Sequence, residues 1–277
     1  MRTREVRVGS VVFGGGRPVA FIGGPCVIES EALLRKVGRA LKKASEALKV
    51  GFVLKASYDK ANRTSVKSYR GPGMEEGLRL LAKIGAELGV PVVTDVHEPS
   101  HAAVAARYVD MLQVPAFLSR QTDLLAACGR TGKAVNVKKG QFLSPWDMRH
   151  AVEKIYSTGN KNVLLTERGS TFGYGNLVVD MRSFEIMRSL GVPVVHDATH
   201  CVQLPGGSGA TTGGQREFVR PLARAAAAVG VDGIFFETHP DPDQALSDGP
   251  NSLFLADAPD FMREVRAFDA LSKETPR

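Results

Sequence analysis

The chain alternates short apolar runs with longer amphipathic stretches, and this alternation constrains its fold more than any other feature. The apolar runs are typical of strands buried in a parallel sheet, and the periodicity of the stretches between them predicts helices. The predicted strands are Pro18–Ile22, Gly51–Ala56, Val90–Asp95, Met111–Val114, Ala134–Val137, Val163–Thr166, Val192–His196 and Gly233–Phe236. The predicted helices begin after Ser30 and then cover Met74–Leu88, Pro99–Tyr108, Arg120–Cys128, Pro145–Tyr156, Val179–Ser189, Gln215–Ala228 and Asp260–Leu271.

Eight such couplets in one chain predict an α/β protein built as a (β/α)8 TIM barrel. A doubly wound open sheet is the alternative, but it normally has fewer strands and a GxGxxG fingerprint, whereas the first predicted strand ends in GGPC. The weak alternation of Arg4–Val12 around Gly9-Ser10 predicts a short β-hairpin ahead of the barrel. No linker interrupts the pattern, so residues 1–277 are predicted to form one catalytic domain.

Composition restricts the partners that such a chain can have. The formal net charge of +7 suits nucleic acid or anionic metabolites, but the basic residues are scattered and only 7% of the chain is aromatic. Nucleic acid is therefore the weaker candidate. The three cysteines are far apart in sequence, which indicates a reducing compartment. With no signal peptide and no run of eighteen apolar residues, we expect a cytoplasmic protein without a membrane partner.

Polar and ionisable side chains follow nearly every predicted strand. In a barrel, the carboxyl ends of the strands meet at one rim, which is where enzymes of this fold place their chemistry. Chance placement on a solvated surface would not choose the same end of each couplet so regularly, so the pattern predicts an enzyme. The strand-end residues are Cys26, Glu29, Lys55, Lys60, Arg63, Asp95, His97, Glu98, Gln113, Phe117, Lys138, Lys139, Glu167, Arg168, His196, Asp197, His200, Gln203, Glu237, His239 and Asp248.

Five of these residues are cations from the second, fifth and sixth strands. They are Lys55, Lys60, Arg63, Lys138 and Arg168. Together they predict a pocket for phosphates and carboxylates, although each alone could be a surface cation.

Four others, Cys26, His200, Glu237 and Asp248, follow the first, seventh and eighth strands, which adjoin in a closed barrel. A thiolate, an imidazole and two carboxylates suit Zn²⁺, Fe²⁺ or Mn²⁺. The alternative is a buried cysteine among salt-bridged polar groups. From the residues alone that alternative is favoured, because no compact ligand motif such as CxxC is present.

The glycine-rich stretch Pro205–Gly214 predicts a long mobile loop. Its position after the seventh strand would let it cover the pocket as a lid, or it could be only a flexible connection.

Several longer motifs resemble those of the 3-deoxy-D-manno-octulosonate 8-phosphate synthase family. The matching segments are GGPCVIES, KASYDKANRTS, GPGMEEGL, TDVHEP, LQVPAFLSRQTDLL, VNVKKGQFLSPWDM, ERGSTFGYGNLVVDMRS, VHDATHCVQLPGG, GGQREFV and ETHPDPDQALSDGPNSL. The resemblance runs from Phe21 to Leu253. Related 3-deoxy-arabino-heptulosonate 7-phosphate synthases, which use erythrose 4-phosphate, typically carry a KPRTS-like stretch where this chain has KANRTS. A heptulosonate-type synthase and a non-catalytic anion-binding barrel remain the alternatives.

The resemblance implies a transferase of lipopolysaccharide biosynthesis that condenses phosphoenolpyruvate with D-arabinose 5-phosphate and releases phosphate. It implies that phosphoenolpyruvate binds deep in the barrel and the aldose phosphate nearer the mouth. The residues matched to phosphoenolpyruvate are Lys60, Lys138 and Arg168, with Gln113 and Phe117 nearby and Lys55 and Gln203 also in the substrate site. Those matched to the aldose phosphate are Arg63 with Ser65 or Thr64 at its phosphate, Asn62 and Asp95 at its hydroxyls, and Arg120 from a neighbouring subunit of a homotetramer.

The resemblance also implies that Cys26, His200, Glu237 and Asp248 bind one divalent metal ion, because the metal-independent branch of the family carries Asn where this chain has Cys26. The metal could orient water or polarise the aldehyde, and Lys60 or His200 could deliver the proton. Lys60, His200 and Asp95 are therefore the catalytic candidates. Two residues depart from the family pattern: Gly175 stands where Asn or Asp is common, and Cys201 where Ser is common.

Overall fold

The computed structural model describes residues 2–63, 65–208 and 211–274. In chain order the strands are β1 (Val6–Val8), β2 (Val11–Phe13), β3 (Ala20–Gly24), β4 (Phe52–Lys55), β5 (Val92–Asp95), β6 (Met111–Val114), β7 (Ala134–Lys138), β8 (Val163–Glu167), β9 (Ser170–Thr171), β10 (Leu177–Val178), β11 (Val194–Asp197), β12 (Gln203–Ser208), β13 (Thr211–Gly214), β14 (Gly233–His239) and β15 (Leu253–Phe254). The α-helices are α1 (Glu31–Leu48), α2 (Met74–Leu88), α3 (Pro99–Ala105), α4 (Thr122–Arg130), α5 (Met148–Tyr156), α6 (Arg182–Arg188), α7 (Val219–Val229) and α8 (Ala258–Glu274).

Eight of the described strands form a closed parallel barrel in the order β3, β4, β5, β6, β7, β8, β11 and β14. The pairing of β14 with β3 on one side and with β11 on the other closes the ring. A helix follows each barrel strand, so the predicted (β/α)8 barrel is confirmed and the open-sheet alternative is wrong. The predicted N-terminal hairpin is also confirmed, since β1 and β2 pair in antiparallel register with Val8 opposite Val11.

Several predicted helices begin later than expected, because a tight 3₁₀ turn precedes the α-helix. Pro145–Asp147 and Arg216–Phe218 form such turns ahead of α5 and α7. A proline has no amide hydrogen to lose in a first turn, so the SPWD segment can begin with the tighter geometry.

The lower half of the barrel interior is apolar. One cluster of buried residues joins the inward side chains of the barrel strands to the hairpin, whose Val6, Val8, Val11 and Phe13 close the bottom. The inward residues of this layer are Ile22, Val53, Val93, Met111, Ala134, Leu164, Val195 and Phe235. The larger cluster lies outside the barrel wall, where residues such as Leu54 pack against the helices.

The next inward layer is polar. Successive side chains of a strand alternate between its two faces, so the next inward residue lies two positions further along the chain. These residues are Gly24, Lys55, Asp95, Gln113, Asn136, Thr166, Asp197 and Glu237, and all are buried. Each barrel strand therefore changes from apolar to polar, or to glycine, within one step, and this change places the chemistry at the carboxyl end.

The glycine-rich stretch after β11 is not a structureless loop in its described part. Strands β12 and β13 pair in antiparallel register there, with Gln203 opposite Gly214 and Ser208 opposite Thr211. An irregular loop is therefore wrong for the described residues of Pro205–Gly214, whereas the mobility of this segment and its role as a lid stay predictions. The small hairpin of β9 and β10 lies beside it: a Cβ atom on Gly175 would lie 3.1 Å from the carbonyl oxygen of Pro205.

The two departures from the family pattern have local explanations. Gly175 has a positive φ of 69°, a conformation in which Asn and Asp are the best tolerated residues after glycine. Cys201 is buried, and its thiol donates a weak hydrogen bond to the Ala198 carbonyl at 3.3 Å, as a serine hydroxyl could. In the described ranges, no helix combines the length and the apolar character needed to cross a membrane.

Candidate active site

A cavity of about 650 Å³ opens at the carboxyl end of the barrel strands. It brings together most of the residues singled out from the sequence. Those lining it are Lys55, Lys60, Asn62, Arg63, Asp95, Phe117, Lys138, Arg168, His200, Gln203 and Asp248. Cations from neighbouring strands thus converge on one concave surface, which suits an anionic ligand.

Lys138 lies deep in this cavity and is held from two sides. Its ammonium group donates to Asp197 Oδ2 at 2.7 Å and lies 3.8 Å from the ring centre of Phe235. Burial lowers the pKa of Lys138, and the Asp197 carboxylate opposes that effect. The side chain is therefore a fixed cation whose position is set by the polar layer.

Arg168 has an unused donor. Its Nη2 donates to Gln203 Oε1 at 2.6 Å and to the His200 carbonyl at 3.2 Å. Its Nη1 is buried and has no hydrogen-bond partner among the described residues. A buried guanidinium nitrogen without an acceptor is costly. An anion in the cavity, which Arg168 lines, would satisfy it.

Two lysines flank the carboxylate of Glu237. Lys55 Nζ donates to Glu237 Oε1 and to the Cys26 carbonyl, the latter at 3.0 Å, while Lys60 Nζ lies 3.9 Å from the same Glu237 oxygen. Burial lowers the pKa of Lys60, but Cys26, Glu237 and other acidic groups outweigh it and raise that pKa well above its usual value. Lys60 is therefore a charged group at the cavity wall.

Cys26, Glu237 and Asp248 each offer one ligand atom, and these atoms lie within 4.8 Å of one another. His200 faces the same point, because its Nε2 lies 3.4 Å from Glu237 Oε2 and 3.7 Å from Asp248 Oδ2. Glu237 Oε2 is buried and accepts no hydrogen bond within the described part of the chain. A thiol, an imidazole and two carboxylates crowded around an unsatisfied oxygen fit a divalent metal ion.

Asp197 sets the orientation of His200. The Nδ1 atom of His200 lies 2.9 Å from Asp197 Oδ2, and the His200 amide donates to Asp197 Oδ1 at 2.9 Å. A proton on Nδ1 shared with this carboxylate leaves Nε2 free to point at Glu237 and Asp248, as metal-binding histidines require. In the sequence, Asp197 is only one of the strand-end residues and has no predicted role in the site.

A chain of hydrogen bonds crosses the opposite wall. Thr166 Oγ1 donates to Asn136 Oδ1 at 2.7 Å, Asn136 Nδ2 to Gln113 Oε1 at 2.9 Å, and Gln113 Nε2 to Asp95 Oδ1 at 2.7 Å. Ser57 Oγ donates to the other oxygen of Asp95. We call these five residues the polar belt. Ser57, Asn136 and Thr166 are not among the site residues predicted from the sequence. The period of two that identifies inward residues would have found them.

The remaining predicted residues lie nearer the rim. Arg63 donates to Ser247 Oγ at 2.6 Å and to the Leu246 carbonyl at 2.9 Å, so it contacts the segment that carries Asp248. Ser65 Oγ accepts from the Lys67 amide at 3.3 Å.

Three further predicted residues differ in where they lie. Arg120 is exposed on the surface, whereas Gln113 is fully buried in the polar belt. Thr64 is outside the described residues.

Comparison with known proteins identifies the family. The model of the DAHP synthetase I family matches residues 3–273. A protein of Syntrophotalea carbinolica named 2-dehydro-3-deoxyphosphooctonate aldolase is 60% identical over 268 residues, which are 97% of each chain. Proteins with the same name from Citrifermentans bemidjiense and Geobacter sulfurreducens are 59% and 58% identical, over 97% and 98% of this chain and 98% and 100% of theirs. The chain therefore belongs to the DAHP synthetase I family, and the resemblance seen in its sequence is confirmed.

Proposed function

We infer that this chain is the transferase that condenses phosphoenolpyruvate, D-arabinose 5-phosphate and water into 3-deoxy-D-manno-octulosonate 8-phosphate and inorganic phosphate, a step of lipopolysaccharide biosynthesis. The observation that carries this conclusion is the 60% identity, over nearly the full length of both chains, to a relative named for this eight-carbon sugar acid. The cavity supports it, since cations and acid–base groups meet at the carboxyl rim of the barrel.

We assign phosphoenolpyruvate to the deep part of the cavity. Lys60, Lys138 and Arg168 are cations from three different strand ends, and the unpartnered Nη1 of Arg168 offers a donor to a phosphate or carboxylate oxygen. Phe117 lines the same cavity and supplies an apolar contact. Lys55, Gln113 and Gln203 support this subsite from behind through their contacts with Glu237, Asp95 and Arg168.

We assign the aldose phosphate to the mouth. Asn62 and Arg63 lie at the cavity wall there, and Asp95 can accept a hydrogen bond from a sugar hydroxyl group. Ser65 or Thr64 would complete the phosphate site with Arg63. Arg120 would reach that site from a neighbouring subunit of a homotetramer, which is consistent with its exposed position here.

The reaction forms a bond from C3 of phosphoenolpyruvate to the aldehyde carbon of the sugar and adds water at C2, after which phosphate leaves from C2. The protein's fixed cations hold two anionic substrates in attack geometry, which lowers the entropic part of the barrier. The aldehyde oxygen takes up a proton as it becomes a hydroxyl group, and Lys60 or His200 is placed to deliver it.

Cys26, His200, Glu237 and Asp248 are the residues that would hold one divalent metal ion, whether Zn²⁺, Fe²⁺ or Mn²⁺. Such an ion, when bound, supplies either an oriented water molecule or polarisation of the aldehyde. We also propose that residues 1–277 act as one catalytic domain in the cytoplasm, with neither nucleic acid nor a membrane as partner.

The test is phosphate release from phosphoenolpyruvate by the purified protein. We expect release with D-arabinose 5-phosphate and not with erythrose 4-phosphate, and an eight-carbon product by mass spectrometry. Release only with the four-carbon sugar would favour a heptulosonate-type synthase. No release with either sugar, after the chelated protein has been resupplied with Zn²⁺, Fe²⁺ or Mn²⁺, would favour a non-catalytic anion-binding barrel.

A further inference from the structure

The hydrogen bonds of the polar belt can run in only one donor-to-acceptor direction. The Asp95 carboxylate can only accept, so the amide nitrogen of Gln113 faces it and the Gln113 oxygen accepts from Asn136 Nδ2. The oxygen of Asn136 then faces Thr166, whose hydroxyl group donates to it. Reversing either amide would set two carbonyl oxygens or two NH₂ groups against each other in a buried wall, where an unmade hydrogen bond costs the full desolvation of the group.

The belt ends at the one member that reaches the cavity. Ser57, Gln113, Asn136 and Thr166 have no exposed surface, whereas Asp95 is 7% exposed and lines the cavity. Register explains the alignment: Asp95 is paired with Gln113 across β5 and β6, and Gln113 with Asn136 across β6 and β7. Side chains in register on neighbouring strands point to the same face, so the belt is built into the sheet.

Both oxygens of Asp95 are thereby held. One accepts from Gln113, the other accepts from Ser57 and lies 3.9 Å from Lys55 Nζ. The carboxylate can neither rotate nor give up its accepting role without breaking a bond of the belt. What remains at the cavity face is an oriented acceptor that a hydroxyl group of the ligand can meet.

We propose that Asn136 and Thr166 are positioning residues for the condensation. They act through Gln113 to hold the Asp95 carboxylate as an oriented acceptor for a hydroxyl group of the aldose phosphate. The inference rests on the proposed function, in which Asp95 contacts that substrate. Neither Asn136 nor Thr166 touches the substrate, and their effect is expected on the aldose phosphate and not on phosphoenolpyruvate.

The first variant reverses the belt. In Asn136→Asp the donor to Gln113 is replaced by an acceptor, so Gln113 turns its amide and presents its oxygen to Asp95. We expect kcat/KM for D-arabinose 5-phosphate to fall roughly 10-fold to 100-fold, as for loss of a hydrogen bond to a charged group, with KM for phosphoenolpyruvate changed less than about twofold.

The second variant removes the start of the belt. Thr166→Val deletes the hydroxyl group with little change of shape, and we expect a loss of roughly threefold to tenfold in the same parameter. The matched control is Thr94→Val, because Thr94 is equally buried in another barrel strand, β5, and its hydroxyl group has no partner among the described residues. This control should keep kcat/KM for both substrates.

A double variant separates positioning from general damage. In Asp95→Asn the new amide can donate to a reversed Gln113, so adding Asn136→Asp restores a consistent belt of opposite direction. We expect Asn136→Asp to change kcat/KM less than about twofold when Asp95→Asn is already present. If the two substitutions acted independently, the fold-losses of the single variants would multiply in the double variant.

Several outcomes would overturn the proposal. They are unchanged aldose kinetics in Asn136→Asp, losses shared equally by both substrates, or losses that multiply with those of Asp95→Asn. If the aspartate variant fails to fold, Thr166→Val against Thr94→Val decides the question alone, and equal behaviour of the two refutes the proposal. A wild-type protein inactive with both substrates would instead refute the proposed function.

Discussion

The two walls of the cavity handle buried polar groups in opposite ways. In the polar belt, each donor meets an acceptor from the neighbouring strand, and Asp95 accepts bonds on both oxygens. On the other side Cys26, Glu237 and Asp248 crowd their ligand atoms within 4.8 Å, and Glu237 Oε2, 3.4 Å from His200 Nε2, accepts no hydrogen bond in the described chain. The first wall is complete by itself, whereas the second is arranged for something that the protein chain does not supply.

This difference separates scaffold from ligand site by physical criteria. A buried acceptor normally finds a donor, and an unsatisfied one is costly. Several ligand atoms that converge on one point therefore suit a cation, while an internally satisfied network indicates a role in shape and orientation. The same eight inward positions of the barrel contain both kinds of residue, Asp95 on one wall and Glu237 on the other.

The largest effect is expected from Glu237→Ala. This substitution removes a carboxylate from the candidate metal site and also takes from the buried Lys55 its closer ion-pair partner, leaving only Asp95 at 3.9 Å. Breaking a buried pair in this way costs about 3–5 kcal/mol in the free energy of unfolding. Chemical denaturation should show this loss, and metal analysis after dialysis should show no bound divalent ion.

Glu237→Gln is the matched control, because its amide oxygen can still accept from Lys55. Glu237→Gln should be more stable than Glu237→Ala, but like that variant it should bind no divalent metal ion. If both variants retained a full equivalent of metal, the second wall would not be a metal site.

A smaller effect is expected from Cys26→Asn, which changes one ligand and keeps an acceptor at the position. We expect metal affinity to fall by at least roughly 10-fold to 100-fold, the loss found when a residue that only orients a metal ligand is replaced. Titration calorimetry of the chelated protein with Zn²⁺ or Mn²⁺ measures this directly. Cys128→Ser is the control, since Cys128 is buried in the core outside the barrel wall. Equal affinity of Cys26→Asn and wild type would remove Cys26 from the ligand set.

The residues of the two walls are not equally predictable from the sequence, and the reason is physical. Cys26, Glu237 and Asp248 are recognisable in the sequence as strand-end residues, but the residues alone favoured a buried cysteine among salt-bridged groups, and only the family resemblance indicated a metal site. Asn136 and Thr166 carry no charge and lie inside strands, where they resemble ordinary surface-facing polar residues. A period of two counted back from Lys138 and Arg168 places Asn136 and Thr166 on the inward face, but their hydrogen-bond partners depend on the strand register, which is set only when the barrel closes.

The fold itself was predictable because each couplet has its own local signal, and the closed parallel sheet then follows from their number. The error over Pro205–Gly214 has the opposite cause. Glycines remove the side-chain pattern by which a strand is recognised, yet the backbone there still pairs between Gln203 and Gly214. A strand that pairs through its backbone but lacks alternating apolar and polar side chains cannot be predicted from hydrophobic periodicity.

The smallest effect is expected on the stability of the protein when a residue of the polar belt is replaced. Thr166→Val should lower the free energy of unfolding by about 1–3 kcal/mol, because the fully buried Asn136 Oδ1 loses its donor. Thr94→Val should be neutral or stabilising, since the hydroxyl group that it removes has no partner in the described chain. Urea unfolding of both variants measures the difference. Equal losses would mean that Asn136 finds another donor, so that the belt is less complete than its geometry indicates and the contrast between the two walls is weaker.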